Sequence, residues 1–272
     1  MRAGRLRLGL LALPALVVFV AFWLLPMARL VAVGASGPRG AAAYVAIVAD
    51  ANYRSSLVST VVLSIAVTFA TLVVSGIAGM FLQRNRFAGR NLLVSLLTFP
   101  LAFPGVVVGF MVIMLAGRQG LIGSVTDALT GSKLVFAYSI SGLFLGYLYF
   151  SIPRVILTVM AAVEKLDTAL EEAARSLGAN GWQVLRDVVI PGLRPALISA
   201  GAICFATSMG AFGTAFTLAT NINVLPITIY TEFTNYANFS IAAALSIVLG
   251  VITWVALAFA RSLAGSSVAA AA

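Results

Sequence analysis

The chain has no histidine, one cysteine (Cys204) and only 9% charged residues, and each shortage removes a class of function. A single cysteine rules out a disulfide framework. With no histidine beside it, there is no ligand set for a zinc finger or for most nitrogen- and sulfur-bound metals. Histidine-based acid–base catalysis is gone as well, and any Gly-x-Ser-x-Gly elbow would lack its partner base. A phosphate-binding loop needs Gly, four residues and then Gly-Lys-Ser/Thr, whereas Gly131-Ser132-Lys133 runs into Leu134. The chain cannot hydrolyse ATP alone. Its net charge of +9 does not point to nucleic acid, because the basic residues are scattered between apolar stretches instead of gathered on one surface.

What is present in excess is apolar. Hydrophobic residues make up 61% of 272, and the mean hydropathy is +1.08, far from a soluble domain. Six segments carry no charge at all: Leu8–Pro26, Leu57–Phe81, Leu92–Ala116, Leu134–Ile152, Ala196–Leu218 and Ile241–Ala260. A helix rises about 1.5 Å per residue and the hydrocarbon core is about 30 Å thick, so each is long enough to cross. Their continuous apolar character fits helices and not the alternating strands of a barrel. The spacing predicts an all-α membrane protein with six transmembrane helices, read as a single transmembrane domain over 1–272.

Lys and Arg set the orientation. With the N-terminus inside, twelve lie on the cytoplasmic side (Arg2, Arg5, Arg7, Arg84, Arg86, Arg90, Arg154, Lys165, Arg175, Arg186, Arg194, Arg261). Five lie outside (Arg29, Arg39, Arg54, Arg118, Lys133), and Ala219–Ser240 has none. Both termini are expected in the cytoplasm. The apolar stretch from Leu8 almost to Val33 exceeds the ~7–15-residue core of a signal peptide, so the first span is read as retained.

One cytoplasmic stretch, Pro153 to Pro195, holds ten charges. Leu166, Leu170, Ala173 and Leu177 fall on one helical face, and Glu171 and Arg175 form an i, i+4 pair on another. Asp167 suits an N-cap, Gly178 a left-handed turn, and Asn180 the cap of a second helix carrying Trp182, Leu185, Val188 and Val189 on one side. Pro191 and Pro195 are expected to stop that helix. The result is a helix–Gly–helix hairpin at the membrane surface, whose apolar stripe is covered either by its own bundle or by a partner.

These residues carry a resemblance. Glu172-Ala173-Ala174, three residues, Gly178, nine residues, then Val188-Val189-Ile190-Pro191 resembles the EAA loop of permeases from binding-protein-dependent ABC importers; only the two aliphatics, Val188 and Ile190, differ from the family's Ile and Leu. Phe99-Pro100-Leu101-Ala102-Phe103-Pro104-Gly105, followed by Gly109, is similar to the third-span pattern of the polyamine, ferric iron, sulfate and phosphonate branch. The resemblance implies a type I importer permease, multi-pass in a bacterial inner membrane and forming half of a pathway. Its partners would be a cytoplasmic ABC ATPase dimer, a second permease subunit and a soluble substrate-binding protein, within membrane lipid. It implies no cofactor in this chain, with ATP and magnesium held by the ATPase. Coupling falls to Glu172, Ala173, Ala174, Gly178, Val188, Ile190 and Pro191. The substrate implied is a small charged solute, with a lean to polyamine or phosphonate.

Other features remain open to two readings. Gly105 and Gly109, Gly142 and Gly146, and Gly210 and Gly213 suit close helix packing. Alternatively, Ser208, Gly210, Phe212 and Gly213 mark a flexible pathway lining, and Pro100 and Pro104 free backbone carbonyls within a span. No span holds a fixed charge, unlike the ion-coupled secondary carrier that is one alternative. A non-transport scaffold is the other. Asp50, Asp127 and Glu232 are read as solvated outer-loop charges. Glu232, with Tyr230, Phe233, Asn235, Tyr236 and Asn238, lies in a loop suited to meeting a soluble binding protein.

Overall fold

The described residues of the computed structural model, 12–38, 40–218 and 222–264, form helices and connections, with no strand among them. Residues 8–11 of the first predicted span, the charges Arg2, Arg5, Arg7 and Arg39, and residues 219–221 of the charge-poor outer loop lie outside the described set. The helices are α1 (Ala12–Ala35, including a π turn at Val20–Leu24), α2 (Ala42–Ala49), α3 (Ala51–Arg84), α4 (Arg90–Thr98), α5 (Gly105–Ala116) and α6 (Leu121–Thr130). They continue with α7 (Ile140–Glu164), α8 (Thr168–Ser176), α9 (Gly181–Met209), α10 (Gly213–Leu218), α11 (Leu225–Thr234) and α12 (Phe239–Ala264). Six apolar stretches among the described residues are long enough to cross a membrane, namely α1, α3, α5 with α6, α7, α9 and α12.

The predicted spans shift where proline or glycine acts. Leu92–Ala116 is not one helix: α4 ends in a 3-10 turn at Phe99–Ala102, Phe103 is extended (ψ 134°), and Pro104 precedes α5. The helical region is disfavoured for the residue before a proline, and Phe103 is extended accordingly, although Phe99 before Pro100 stays helical. Across Pro153, by contrast, α7 runs unbroken to Glu164, so residues 153–164 belong to a helix and not to the loop. Pro191 and Pro195 do not stop the hairpin's second arm either, because α9 passes through both. A π turn at Leu185–Val189, closed by the Ile190 N–H on the Leu185 carbonyl, precedes Pro191 and already displaces the hydrogen-bond ladder that a proline would otherwise interrupt. The fifth span therefore starts earlier than Ala196 and ends at Met209, with Gly210 as its C-cap.

Two compact units divide the chain: Met1–Ser55 with Thr228–Gly250, and Ser56–Ile227 with Val251–Ala272. In the first, Gly34 gives room to the Tyr44 ring and the Ala244 backbone, and the Tyr44 hydroxyl donates to the Val31 carbonyl at 3.0 Å. Glu232 is not a solvated loop charge. It lies buried on α11, accepting from the Tyr53 hydroxyl (2.9 Å) and the Asn238 amide (3.0 Å). Asp50 accepts from the Asn52 N–H at the start of α3, and Asp127, on α6, faces Lys133 at 3.9 Å.

The second unit has its core where α3, α5, α7, α9 and α10 meet, around Val67, Val112, Leu143, Tyr147, Val159, Leu193 and Leu218. Helices in lipid gain little from apolar burial against each other, so close approach of small residues does the work. Cβ atoms added at Gly109, Gly146 and Gly213 would lie 2.6 Å from Thr217, 2.7 Å from Thr214 and 3.0 Å from Val106. These glycines are packing sites between α5, α7 and α10. Gly109→Val should lower the thermal unfolding midpoint in detergent, with about 1–3 kcal/mol lost to overpacking. Gly76→Ala, on α3 with nothing within 4 Å of the added carbon, should raise it, with about 0.5–1 kcal/mol regained.

Candidate functional site

The hairpin between α7 and α9 is built from local signals. The Asp167 carboxylate accepts the Ala169 N–H at 2.9 Å and caps α8. At its far end Gly178 has φ +90°, the Ala179 N–H reaches the Ala174 carbonyl (3.1 Å), and the Gly178 N–H reaches that of Arg175 (2.9 Å). That pair of bonds is the Schellman closure of a helix, which needs a residue at ease in the left-handed region. The next arm opens with a capping box: Asn180 accepts the Gln183 N–H while the Gln183 side chain accepts that of Asn180 (2.9 and 2.7 Å).

Burial splits the predicted faces. Of the predicted stripe Leu166–Leu177, Leu166 packs against the core, whereas Leu170, Ala173 and Leu177 face outward, Leu177 at 89% exposure. On the second arm Trp182 is 66% exposed and Leu185 and Val188 are half-buried, while Val184, Val189 and Leu193 are buried. Positions five apart share a face only on a wider turn, so the π turn is what brings Val184 and Val189 to the same side. Glu172 and Ala173 are exposed, Ala174 is partly buried on the core, and Ile190 and Pro191 are exposed past the π turn. The hairpin thus presents Leu170, Glu172, Ala173, Leu177 and Trp182 outward from a frame capped on both arms.

One residue of this frame was not legible as such. Glu171, not Glu172, is the buried acid; its Oε1 meets the Arg84 guanidinium at the end of α3, and its Oε2 meets Arg175 at 3.3 Å. The i, i+4 pair is visible in the sequence, but nothing marks a partner 87 positions away.

The pathway candidates gather at helix breaks. Pro100 is buried in the 3-10 turn and Pro104 caps α5, with the Gly105 carbonyl accepting the Thr214 hydroxyl at 2.9 Å. Ser208 is fully buried near the end of α9, and its hydroxyl has no partner among the described residues. Gly210 caps α9, Gly213 opens α10 against Val106, and the Phe212 ring, 37% exposed, lies 5.2 Å from that of Phe216. The Tyr147 hydroxyl closes this break by donating to the Ala211 carbonyl at 2.5 Å.

Six apolar stretches, two of them joined by a capped hairpin with Leu170, Leu177 and Trp182 exposed, make a multi-pass membrane protein. The chain belongs to the binding-protein-dependent transport system inner membrane component family, which matches residues 72–266. It is 32% identical over 224 residues to the sulfate transport system permease protein CysW of Synechocystis, covering 80% of each chain. Over 206 residues it is 34% identical to the molybdenum transport system permease protein ModB of Escherichia coli K12, covering 74% of this chain and 89% of that one. Its fold matches the crystal structure of a bacterial ABC transporter involved in the import of the acidic polysaccharide alginate, with a TM-score of 0.81 and 18% identity over 94% of both chains. The chain is a permease subunit in the inner membrane and not an enzyme; ATP hydrolysis belongs to separate subunits. Both named relatives are sulfate and molybdenum permeases, whereas the sequence pattern leans to polyamine or phosphonate.

The hairpin turn generates a direct test. Alanine at Gly178 should cost about 1–2 kcal/mol, the penalty for a Cβ in the left-handed region. Hydrogen exchange at the Gly178 and Ala179 amides should accelerate. Gly181→Ala, at the start of the second arm with open space around it, should leave their protection unchanged.

Proposed function

We propose that this permease imports a tetrahedral oxyanion of the sulfate or molybdate kind, docking an ATPase subunit through the exposed face of the α8–α9 hairpin. The single observation that carries the substrate class is the identity to a sulfate and a molybdenum permease over three-quarters or more of this chain or of the relative. Docking is supported by the exposure of Leu177 and Trp182 on a frame capped at both arms, an arrangement unfavourable in water without a partner to cover it. Ala173 and Ala174 leave room for close approach, Glu172 offers an acid at the rim to a basic partner, and Val188, Ile190 and Pro191 carry the arm into the membrane.

The same reading assigns the hairpin and both termini to the cytoplasm and ATP with magnesium to the ATPase dimer. A second permease subunit completes the pathway, and a soluble binding protein selects the solute. The segments Leu92–Ala116 and Ala196–Leu218 carry no charge, so a dianion would meet hydroxyls, backbone and aromatic edges around the Pro100–Gly105 and Ser208–Gly213 breaks. Such neutral groups orient an anion without trapping it.

Deleting the gene in its native cell should abolish sulfate or molybdate uptake and leave polyamine and phosphonate uptake at its original rate. Loss of polyamine or phosphonate uptake instead would refute the oxyanion assignment. The topology is checked by cysteine labelling on a Cys204→Ser background. A thiol introduced at Ser176 should react only with a membrane-permeant reagent, and one at Ser132, exposed beyond α6, should react with an impermeant reagent from outside. The opposite pattern removes the docking argument.

A further inference from the structure

The hairpin's outward face explains how a partner would be held, but not how its movement would reach the membrane helices. We propose that the Arg84–Glu171 ion pair is that link, with Arg84 and Glu171 acting as positioning residues that tie the hairpin to α3; this rests on the docking role given to the hairpin above.

Several observations converge on it. Glu171 is only 6% exposed although it lies on a nine-residue helix whose neighbours Leu170, Glu172 and Ala173 are exposed. Its two carboxylate oxygens are divided between two guanidinium groups, Arg84 on Oε1 and Arg175 on Oε2. The Arg175 bond lies within α8 and so fixes the carboxylate's orientation on its own helix. The Arg84 bond leaves the helix, and it ends on the last residue of α3. Charge-assisted contacts of this kind are stronger and more directional than neutral ones, and a half-removed buried pair leaves an uncompensated charge.

What α3 touches gives the link its reach. A Cβ at Gly79, five residues before Arg84, would lie 2.9 Å from Val159 of α7. The Ser75 hydroxyl donates to the Ile152 carbonyl of α7 at 3.2 Å. Leu72 lies against Gly201 of α9, where an added Cβ would be 3.0 Å away. Arg84 therefore connects the hairpin to a helix already locked against the two spans that the hairpin joins. A displacement of α8 is delivered to α3, α7 and α9 together instead of being absorbed at the Gly178 turn or the Lys165–Asp167 connection.

The test uses the complete transporter, permease with its ATPase subunits and binding protein, in proteoliposomes, and reads three quantities: ATPase retained on the permease, ATP hydrolysed and solute taken up. Arg84→Ala and Glu171→Gln should retain the ATPase and its hydrolysis while uptake per ATP falls about tenfold, within the 5–150-fold span of ordinary coupling energies. Arg84→Lys, which keeps the charge, should restore most of the ratio. An unchanged ratio in Arg84→Ala overturns the proposal. So does loss of bound ATPase in parallel with uptake, because Arg84 would then merely support the docking surface. Glu172→Lys is the separate control for docking itself. If it leaves the ATPase bound, the docking face is wrong, a result read from retention and not from the ratio that reports on Arg84.

Discussion

In hydrocarbon no water is available to a backbone N–H or C=O, so every place where a helix breaks must find a replacement partner within the protein. This constraint organises the second unit. The break after α9 exposes the Ala211 carbonyl, and Tyr147 from α7 reaches it. At the start of α5 the Thr214 hydroxyl donates to the Gly105 carbonyl and that of Thr217 lies 3.3 Å from the Val106 carbonyl, tying α10 to carbonyls that already accept within α5. The first N–H of α11, at Leu225, is received by the Thr60 hydroxyl of α3 at 2.7 Å. Each hydroxyl comes from a different helix than the break it serves. At these places one set of hydroxyls serves both the break and the contact between helices, while after α5 the Ala116 carbonyl is met instead by the Phe136 and Ala137 N–H groups.

The same economy accounts for the glycines. Gly105, Gly109 and Gly213 bring α5 and α10 close enough for short Thr side chains to reach the opposing backbone. A larger residue at Gly109 would push Thr217 away and remove a backbone partner along with the packing. Small residues and hydroxyls are therefore coupled choices, which is why the packing and polar readings of these motifs are not alternatives.

Much of this was legible in advance. Charge-free length marked six spans, and the spacing from Asp167 to Asn180 marked the hairpin, because capping and left-handed turns are properties of a few adjacent residues. Span ends were less legible. Pro100 and Pro104 break a helix, whereas Pro153, Pro191 and Pro195 sit inside one, and the difference is set by neighbours that the local sequence does not name. Glu232 was read as solvated because it falls in an outer loop, yet the Tyr53 hydroxyl, 179 positions away, meets its buried carboxylate. Glu171 was read only as the partner of Arg175, and its bond to Arg84 was missed for the same reason. Long-range partners decide which of two adjacent acids is buried, and Glu171 and Glu172 are indistinguishable by type.

The π turn at Leu185–Val189 has a consequence for how α9 is phased. An α-helix advances about 100° per residue, and the wide turn takes up one extra residue in nearly the same arc, so sequence positions before and after it fall out of phase by about that angle on a common wheel. Trp182 and the docking arm and the membrane-spanning part of α9 thus lie on one continuous rod but keep two separate helical clocks. A helical wheel drawn through both would assign lipid-facing and core-facing sides correctly for only one half. Removing a single residue from this turn would set the two clocks to the same hour, and because four α-helical residues cover nearly the arc that five cover here, the hairpin's outward face and the span would both keep their places.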